Sequence, residues 1–177
     1  MVKLKKGEKV ILSAGHSKQS TGATHWNGKT NEWQLTAEYA RALAEELTAK
    51  GIVVEVIPQD LPLRKRQAIV AGRPGVFSME IHFNAFNGKA KGAEAFCRAG
   101  DLRNHKLVTE ALAETCTKLG LVNRGVKLDN QSARGSLGWV KAGGVLWEVC
   151  FMDNPLDLHD GITGLTWAKA MANALVE

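Results

Sequence analysis

Ser78-Met79-Glu80-Ile81-His82-Phe83-Asn84-Ala85 is the stretch whose reading decides the fold. From Val76 to Phe83 the residues are mostly strand formers, and the side chains of a strand alternate between its two faces. Glu80, His82 and Asn84 therefore share one side, opposite Met79, Ile81 and Phe83. A carboxylate two residues ahead of an imidazole on the same side makes poor core. It belongs to a polar site or leaves buried polar groups in need of partners.

Upstream of this stretch, Lys9 to Ala14 reads as a first strand and Gly15-His16-Ser17 turns directly from it, so His16 stands just past a strand's carboxyl end. A polar, glycine-containing loop runs from Gln19 to Lys29. Thr30 or Asn31 can cap the helix that follows, and Lys50-Gly51 stops it. Tyr39, Leu43 and Leu47 form its apolar stripe. Extended backward at helical spacing, the stripe passes Thr36 and reaches Glu32, an acid on the inward face of the first turn. Local sequence also suits a solvated Glu32, favoured by the helix dipole. Ile52 to Ile57 is a second strand, Leu63 to Val70 a short helix, and Gly72-Arg73-Pro74-Gly75 turns the chain into the His82 strand.

Downstream, Asn87 to Gly92 is a loop and Ala93 to Cys97 a strand. Leu102 to Leu119 is a helix with Val108, Ala111, Leu112, Thr115 and Leu119 inward, closed by Gly120. Gly125 to Leu128 is a short strand. Gln131 to Gly138 reads as a loop ending in Trp139, the better surface candidate among the tryptophans for stacking on sugar, against the commoner placement of large aromatics in the core. In the strand Val145 to Cys150, Glu148 shares a face with Leu146 and Cys150, a costly place for a charge without a purpose. A closing helix runs from Ile162 to Val176 with Leu165, Ala168, Met171 or Ala172, and Leu175 inward.

Strands alternating with helices predict an α/β fold with a mostly parallel sheet. With 177 residues the chain fits a single domain spanning positions 1–177. Hydrophobic residues at 45% and charged residues at 23% exclude long disorder. The N-terminal apolar run, Val10-Ile11-Leu12, is too short for a signal peptide or membrane span, and Cys97, Cys116 and Cys150 form no CxxC pair. Both observations point to synthesis in a reducing cytosol. The excess of 23 Lys and Arg over 18 Asp and Glu gives +5, suited to an anionic partner such as a cell envelope. The cations are scattered and fit no nucleic-acid motif, so no nucleic-acid partner is expected.

Ligands of parallel α/β sheets bind beyond the carboxyl ends of the strands. His16 follows one strand, His82 ends a second, Glu148 lies near the end of a third, and Glu32 opens a helix reached from the same edge, so the four can meet. Two imidazoles and one carboxylate are a ligand set for a catalytic zinc, and a further carboxylate outside the metal shell, Glu148, can move the proton of a metal-activated water. The spacing is not the local HExxH pattern. The plainer alternative has His16 and His82 satisfied by backbone groups and Glu148 by a buried Lys or Arg.

Gly15-His16, Glu32 at the head of a long helix, Ile81-His82-Phe83-Asn84-Ala85, Arg124-Gly125-Val126-Lys127, and Leu146-Trp147-Glu148 through Phe151 to Asn154-Pro155 together resemble the zinc-dependent N-acetylmuramoyl-L-alanine amidases. The matches keep the family's order and span nearly the whole chain. The resemblance implies a twisted, mostly parallel sheet flanked by helices on both faces, and one Zn2+ held by His16, Glu32 and His82, with Glu148 as the catalytic glutamate. It implies peptidoglycan as substrate, cut at the amide between N-acetylmuramic acid and L-alanine of the stem peptide. Asn84 matches the asparagine of the family's His-x-Asn segment, a supporting or substrate-contacting residue, with a plain turn asparagine after the strand as the alternative. Glu80 departs from the family, which more often has a small residue there. It can fix a ligand, alter the proton inventory or contact substrate.

A bare catalytic domain with no export signal resembles a monomeric bacteriophage endolysin, made in the host cytoplasm and admitted to the periplasm or wall once the membrane is permeabilised. The alternatives are a host wall-remodelling amidase, a zinc peptidase of stem peptides, and a non-catalytic envelope-binding module.

Overall fold

The computed structural model describes residues 2–132 and 135–177. Six strands lie in one sheet: β1 (Lys9–Ala14), β2 (Val53–Ile57), β3 (Phe77–Asn84), β4 (Ala93–Cys97), β5 (Asn123–Leu128) and β6 (Val145–Phe151). Five helices accompany them: α1 (Glu32–Ala49), α2 (Leu63–Ala71), α3 (Leu102–Leu119), α4 (Gly138–Lys141) and α5 (Gly164–Leu175). The sheet order is β2-β1-β3-β6-β4-β5. All neighbours are parallel except β4 against β6. The expected mostly parallel α/β architecture is what the chain adopts.

Alternation along the strands divides the molecule into two layers. Val10 and Leu12 of β1, Met79 and Ile81 of β3, and Trp147 and Val149 of β6 join Leu43, Val108, Trp167 and Met171 of the long helices in one core, all of them fully buried. Each such side chain contributes roughly 1.5–3 kcal/mol of burial. The opposite face is thinner: Ile11, Ile57 and Val70 close around Trp139 under α2 and α4. Helices thus cover both faces, unequally. Among the described residues no helix is long and apolar enough to cross a membrane.

Several sequence readings need correction. Trp139 is not on a surface loop. It lies in α4, 1% exposed, and Gly144 leaves room for its indole, since a Cβ there would strike Nε1. The loop read over Gln131 to Gly138 includes Ala133 and Arg134, which lie outside the described residues. Cys150 does not share the Glu148 face. The register between β3 and β6 slips after His82–Glu148, so that Asn84 meets Phe151, and the extra residue in β6 turns Cys150 into the main core beside Val149. Leu165 is 52% exposed rather than inward, because α5 begins at Gly164 and packs through Trp167, Ala168, Met171 and Leu175. All three cysteines are free and buried, and burial pushes the Cys97 thiol up to about 12 and Cys116 up to about 11.

Candidate functional site

His16, Glu32 and His82 converge at the carboxyl ends of β1 and β3. One donor atom from each lies within 4.8 Å of those of the other two. The backbone forces this meeting. His16 adopts φ 61°, the left-handed region a branchless glycine would accept more readily, directly after β1. The following turn is fixed by reciprocal bonds between Ser17 and Ser20, at 3.1 and 3.0 Å. Gly15 is needed for closeness: a Cβ there would stand 2.5 Å from the His82 ring. Gly22, at φ 72°, performs the same service for Glu32 and the His16 ring.

Glu32 is the first residue of α1 and only 2% exposed, so the inward reading is correct and the solvated one is not. Gln34 caps this helix start by accepting from the Asn31 N–H at 3.0 Å. The Glu32 carboxylate accepts the backbone N–H groups of Ala23 and Phe83, each at 3.0 Å, which ties the 15–31 loop to β3. His82 Nδ1 lies 3.0 Å from its Oε1, and His16 Nε2 lies 3.1 Å from its Oε2. Burial alone would raise the Glu32 pKa, but the two imidazoles outweigh it and hold the carboxyl well below the usual range. Burial opposes charge on His82 as well. Hydrogen bonds to Glu32 and Glu80, with the charges of Glu80 and Glu148, push it up to about 10.

The donor set fits a divalent metal. His16 Nδ1 lies 3.2 Å from the Ser20 carbonyl, where it donates its proton, leaving Nε2 with a lone pair. That buried Nε2 has no hydrogen-bond partner among the described residues, although Glu32 is beside it. A metal would displace the proton that Glu32 and Glu80 otherwise hold on His82. Two imidazole nitrogens so freed, with one carboxylate oxygen around a common point, suit zinc with a fourth position open.

Glu148 stands next to this group. It is the register partner of His82 on β3 and of Glu94 on β4, and neighbouring strands lie about 4.8 Å apart. A cavity of about 180 Å3 is lined by Glu148, Glu32, His82, Asn84 and Glu94, among others. A second, of about 530 Å3, opens on the other side of His82, past Glu80 and Arg66 toward α4. Asn84 donates to Glu94 Oε1 at 2.9 Å, and Arg124 Nε donates to Glu94 Oε2 at 2.9 Å. Glu80 is 3% exposed, with Oε2 3.2 Å from His82 Nε2.

Sequence reading missed Glu94, Arg66 and the reason for Gly15 and Gly22. The signals were present in part. Glu94 alternates with Ala93 and Ala95 in a strand, as Glu148 does in its own, and Arg66 precedes the buried Val70 by one helical turn. The glycines carry no local signal, since the atoms they make room for come from distant segments.

The family model for N-acetylmuramoyl-L-alanine amidases matches residues 10–177. The chain belongs to that family. Its activity class is therefore hydrolysis of the N-acetylmuramoyl-L-alanine amide in peptidoglycan. Among solved structures, the chain is similar to a Neisseria meningitidis protein provisionally assigned as such an amidase, at 29% identity, TM-score 0.79, and coverage of 94% of this chain and 93% of that one. It is similar to the catalytic domain of the CD27L endolysin targeting Clostridia difficile, at 28% identity, TM-score 0.71, and coverage of 95% and 96%. The catalytic domain of the amidase CwlV from Bacillus (Paenibacillus) polymyxa shares the fold at 19% identity, TM-score 0.79, and coverage of 94% and 95%. No curated protein matches the chain.

Proposed function

We propose that this amidase is zinc-dependent, with one Zn2+ held by His16, Glu32 and His82 and with Glu148 as the catalytic acid–base. The observation that carries the reading is the convergence of three donor atoms within 4.8 Å, with Glu148 one strand away from His82. When bound, zinc would polarise the scissile carbonyl and lower the pKa of a water. Glu148 takes a proton from the attacking water and returns it to the departing L-alanine nitrogen. Glu32 and His82 enter the same cavity as Glu148, so the scissile amide is presented to all three. The bond from Asn84 to Glu94 supports a supporting role for Asn84 beside that cavity.

Digestion of purified peptidoglycan tests the bond cut. Intact stem peptides beginning with L-alanine are the expected products by mass spectrometry. Fragments lacking that residue would identify a stem-peptide peptidase. A protein that binds walls, holds no zinc and releases no new amino termini would be an envelope-binding module.

The biological setting we propose is phage-driven lysis by a monomer acting in the periplasm or wall, supported by the similarity to the CD27L catalytic domain and by the +5 charge toward an anionic envelope. The Neisseria meningitidis structure favours a second reading, wall remodelling by a bacterial enzyme. Cytoplasmic expression separates them: cells should stay intact until a membrane-permeabilising protein is co-expressed, then clear. Slow wall turnover without clearing favours remodelling.

A further inference from the structure

His82 has two ring nitrogens and each faces a carboxylate, Nδ1 toward Glu32 Oε1 at 3.0 Å and Nε2 toward Glu80 Oε2 at 3.2 Å. Only the first points into the group formed with His16, whose Nε2 lies 3.1 Å from the other oxygen of Glu32. Glu80 is in turn held from behind. Its Oε1 lies 3.3 Å from Ser13 Oγ and 3.3 Å from Arg66 Nη1. The same Nη1 donates to the Ala14 carbonyl at 2.6 Å and to Ser13 Oγ at 3.1 Å. Arg66, Glu80 and Ser13 are respectively 4%, 3% and 0% exposed. One buried guanidinium therefore grips the last residues of β1, just ahead of Gly15-His16, and the carboxylate that receives His82.

We infer that Arg66 and Glu80 form a positioning pair that fixes His82 with its proton on Nε2 and its lone pair on Nδ1, so that Nδ1 is the metal-binding nitrogen. The inference rests on the zinc-site reading above. A carboxylate accepting the second N–H of a ligand histidine sets the tautomer, restrains the ring and makes the ligand nitrogen more basic. Arg66 acts only through Glu80 and the end of β1. A carboxylate this deep is tolerable only with a compensating partner, and the guanidinium with Ser13 supplies it. This accounts for Glu80 where the family more often has a small residue: here the pair anchors the imidazole from the side opposite Glu32.

The test is zinc affinity, measured by titrating metal-free protein with Zn2+ against a competing chelator, together with 15N NMR of the His82 ring. Glu80→Gln should weaken zinc binding roughly tenfold and Glu80→Ala up to about a hundredfold, the range for loss of such partners. Arg66→Met should weaken it in the native background and add nothing in the Glu80→Gln background. That double variant also removes both buried charges together, so it retains the fold where a single change leaves one charge stranded. In the zinc-loaded protein the His82 Nε2 should carry the proton. Zinc bound equally well by wild type and the folded double variant, or a proton on Nδ1, overturns this inference while leaving the zinc site standing. Wild-type protein that takes up no zinc overturns both.

Discussion

On one face of β3, Phe77, Met79, Ile81 and Phe83 are each at most 3% exposed and pack into the core shared with α1 and α5. On the other, Ser78, Glu80, His82 and Asn84 alternate with them, and the last three bond to Arg66, Glu32 and Glu94. Both faces are largely sealed from solvent, but by different means: apolar packing against long helices on one, charge and hydrogen bonding against short α2 and the neighbouring strand ends on the other. The contrast teaches that a strand can be covered on both sides, fully on one and down to a partly open end at His82 and Asn84 on the other, and so divide its labour. Stability should answer to odd-numbered positions and chemistry to even ones.

That division can be broken most sharply at Glu148, which extends the polar face into β6. Glu148→Gln should lower turnover of peptidoglycan by roughly a hundred- to ten-thousandfold while zinc stoichiometry, read by elemental analysis, stays at the native value. Loss of zinc in that variant would make Glu148 a ligand instead. From the apolar face, Ile81→Ala should cost about 2–5 kcal/mol in denaturant unfolding and leave the turnover of the remaining folded protein close to native. A fall in turnover larger than the fall in folded fraction would mean that the two faces are not separable.

Gly15→Ala sharpens the comparison, because the three atoms nearest the added methyl all belong to the His82 ring. Zinc affinity should drop about tenfold, as for other losses of ligand positioning, with little change in the unfolding midpoint. The smallest effect concerns Glu94. Burial raises its carboxyl pKa, but Lys127, Arg124 and Asn84 together lower it below the ordinary 4.5. A group depressed in the folded state stabilises the fold above its unfolded value, so this contribution is complete above about pH 4.5 and is lost as the pH falls through the folded value. Glu94→Gln should flatten that part of the acid limb in a stability–pH curve, and an unchanged limb would assign acid unfolding to other carboxylates.

Much of this arrangement is legible in the chain, for reasons that can be named. Leu102–Leu119 matches its predicted bounds because its inward residues keep helical spacing and Gly120 closes it at φ 67°. The same arithmetic in α1 carries the stripe to Glu32, but local sequence suits a solvated acid as well, and only the packing against His16 and His82 decides for the inward position. What is not legible depends on partners far away. Trp139 sits among glycines that suggest an exposed loop, and only the hollow between Ile11, Ile57 and Val70 buries it. The reversal of β4 leaves no mark, since a strand buried on both faces reads alike in either direction. Cys150 faces the core and not the Glu148 side because one surplus residue in β6 undoes a strict two-residue repeat. Among the site residues, the four proposed for metal and proton transfer are carried by the resemblance as well as by their places on strands and, for Glu32, at the head of α1. Arg66 and Glu94 belong to the supports, and their roles depend on neighbours in space.

The place of β6 has a consequence for synthesis. The last strand to be made is inserted between β3 and β4, near the middle of the sheet. A nascent chain that stops short of Val145 has a slot where its backbone ladder should close, and its two earlier strands flank nothing. Such a contact must wait for the late segment, which favours slow, all-or-none completion. A fragment that ends before Val145 therefore lacks, in one stroke, both the strand that joins the two parts of the sheet and Glu148.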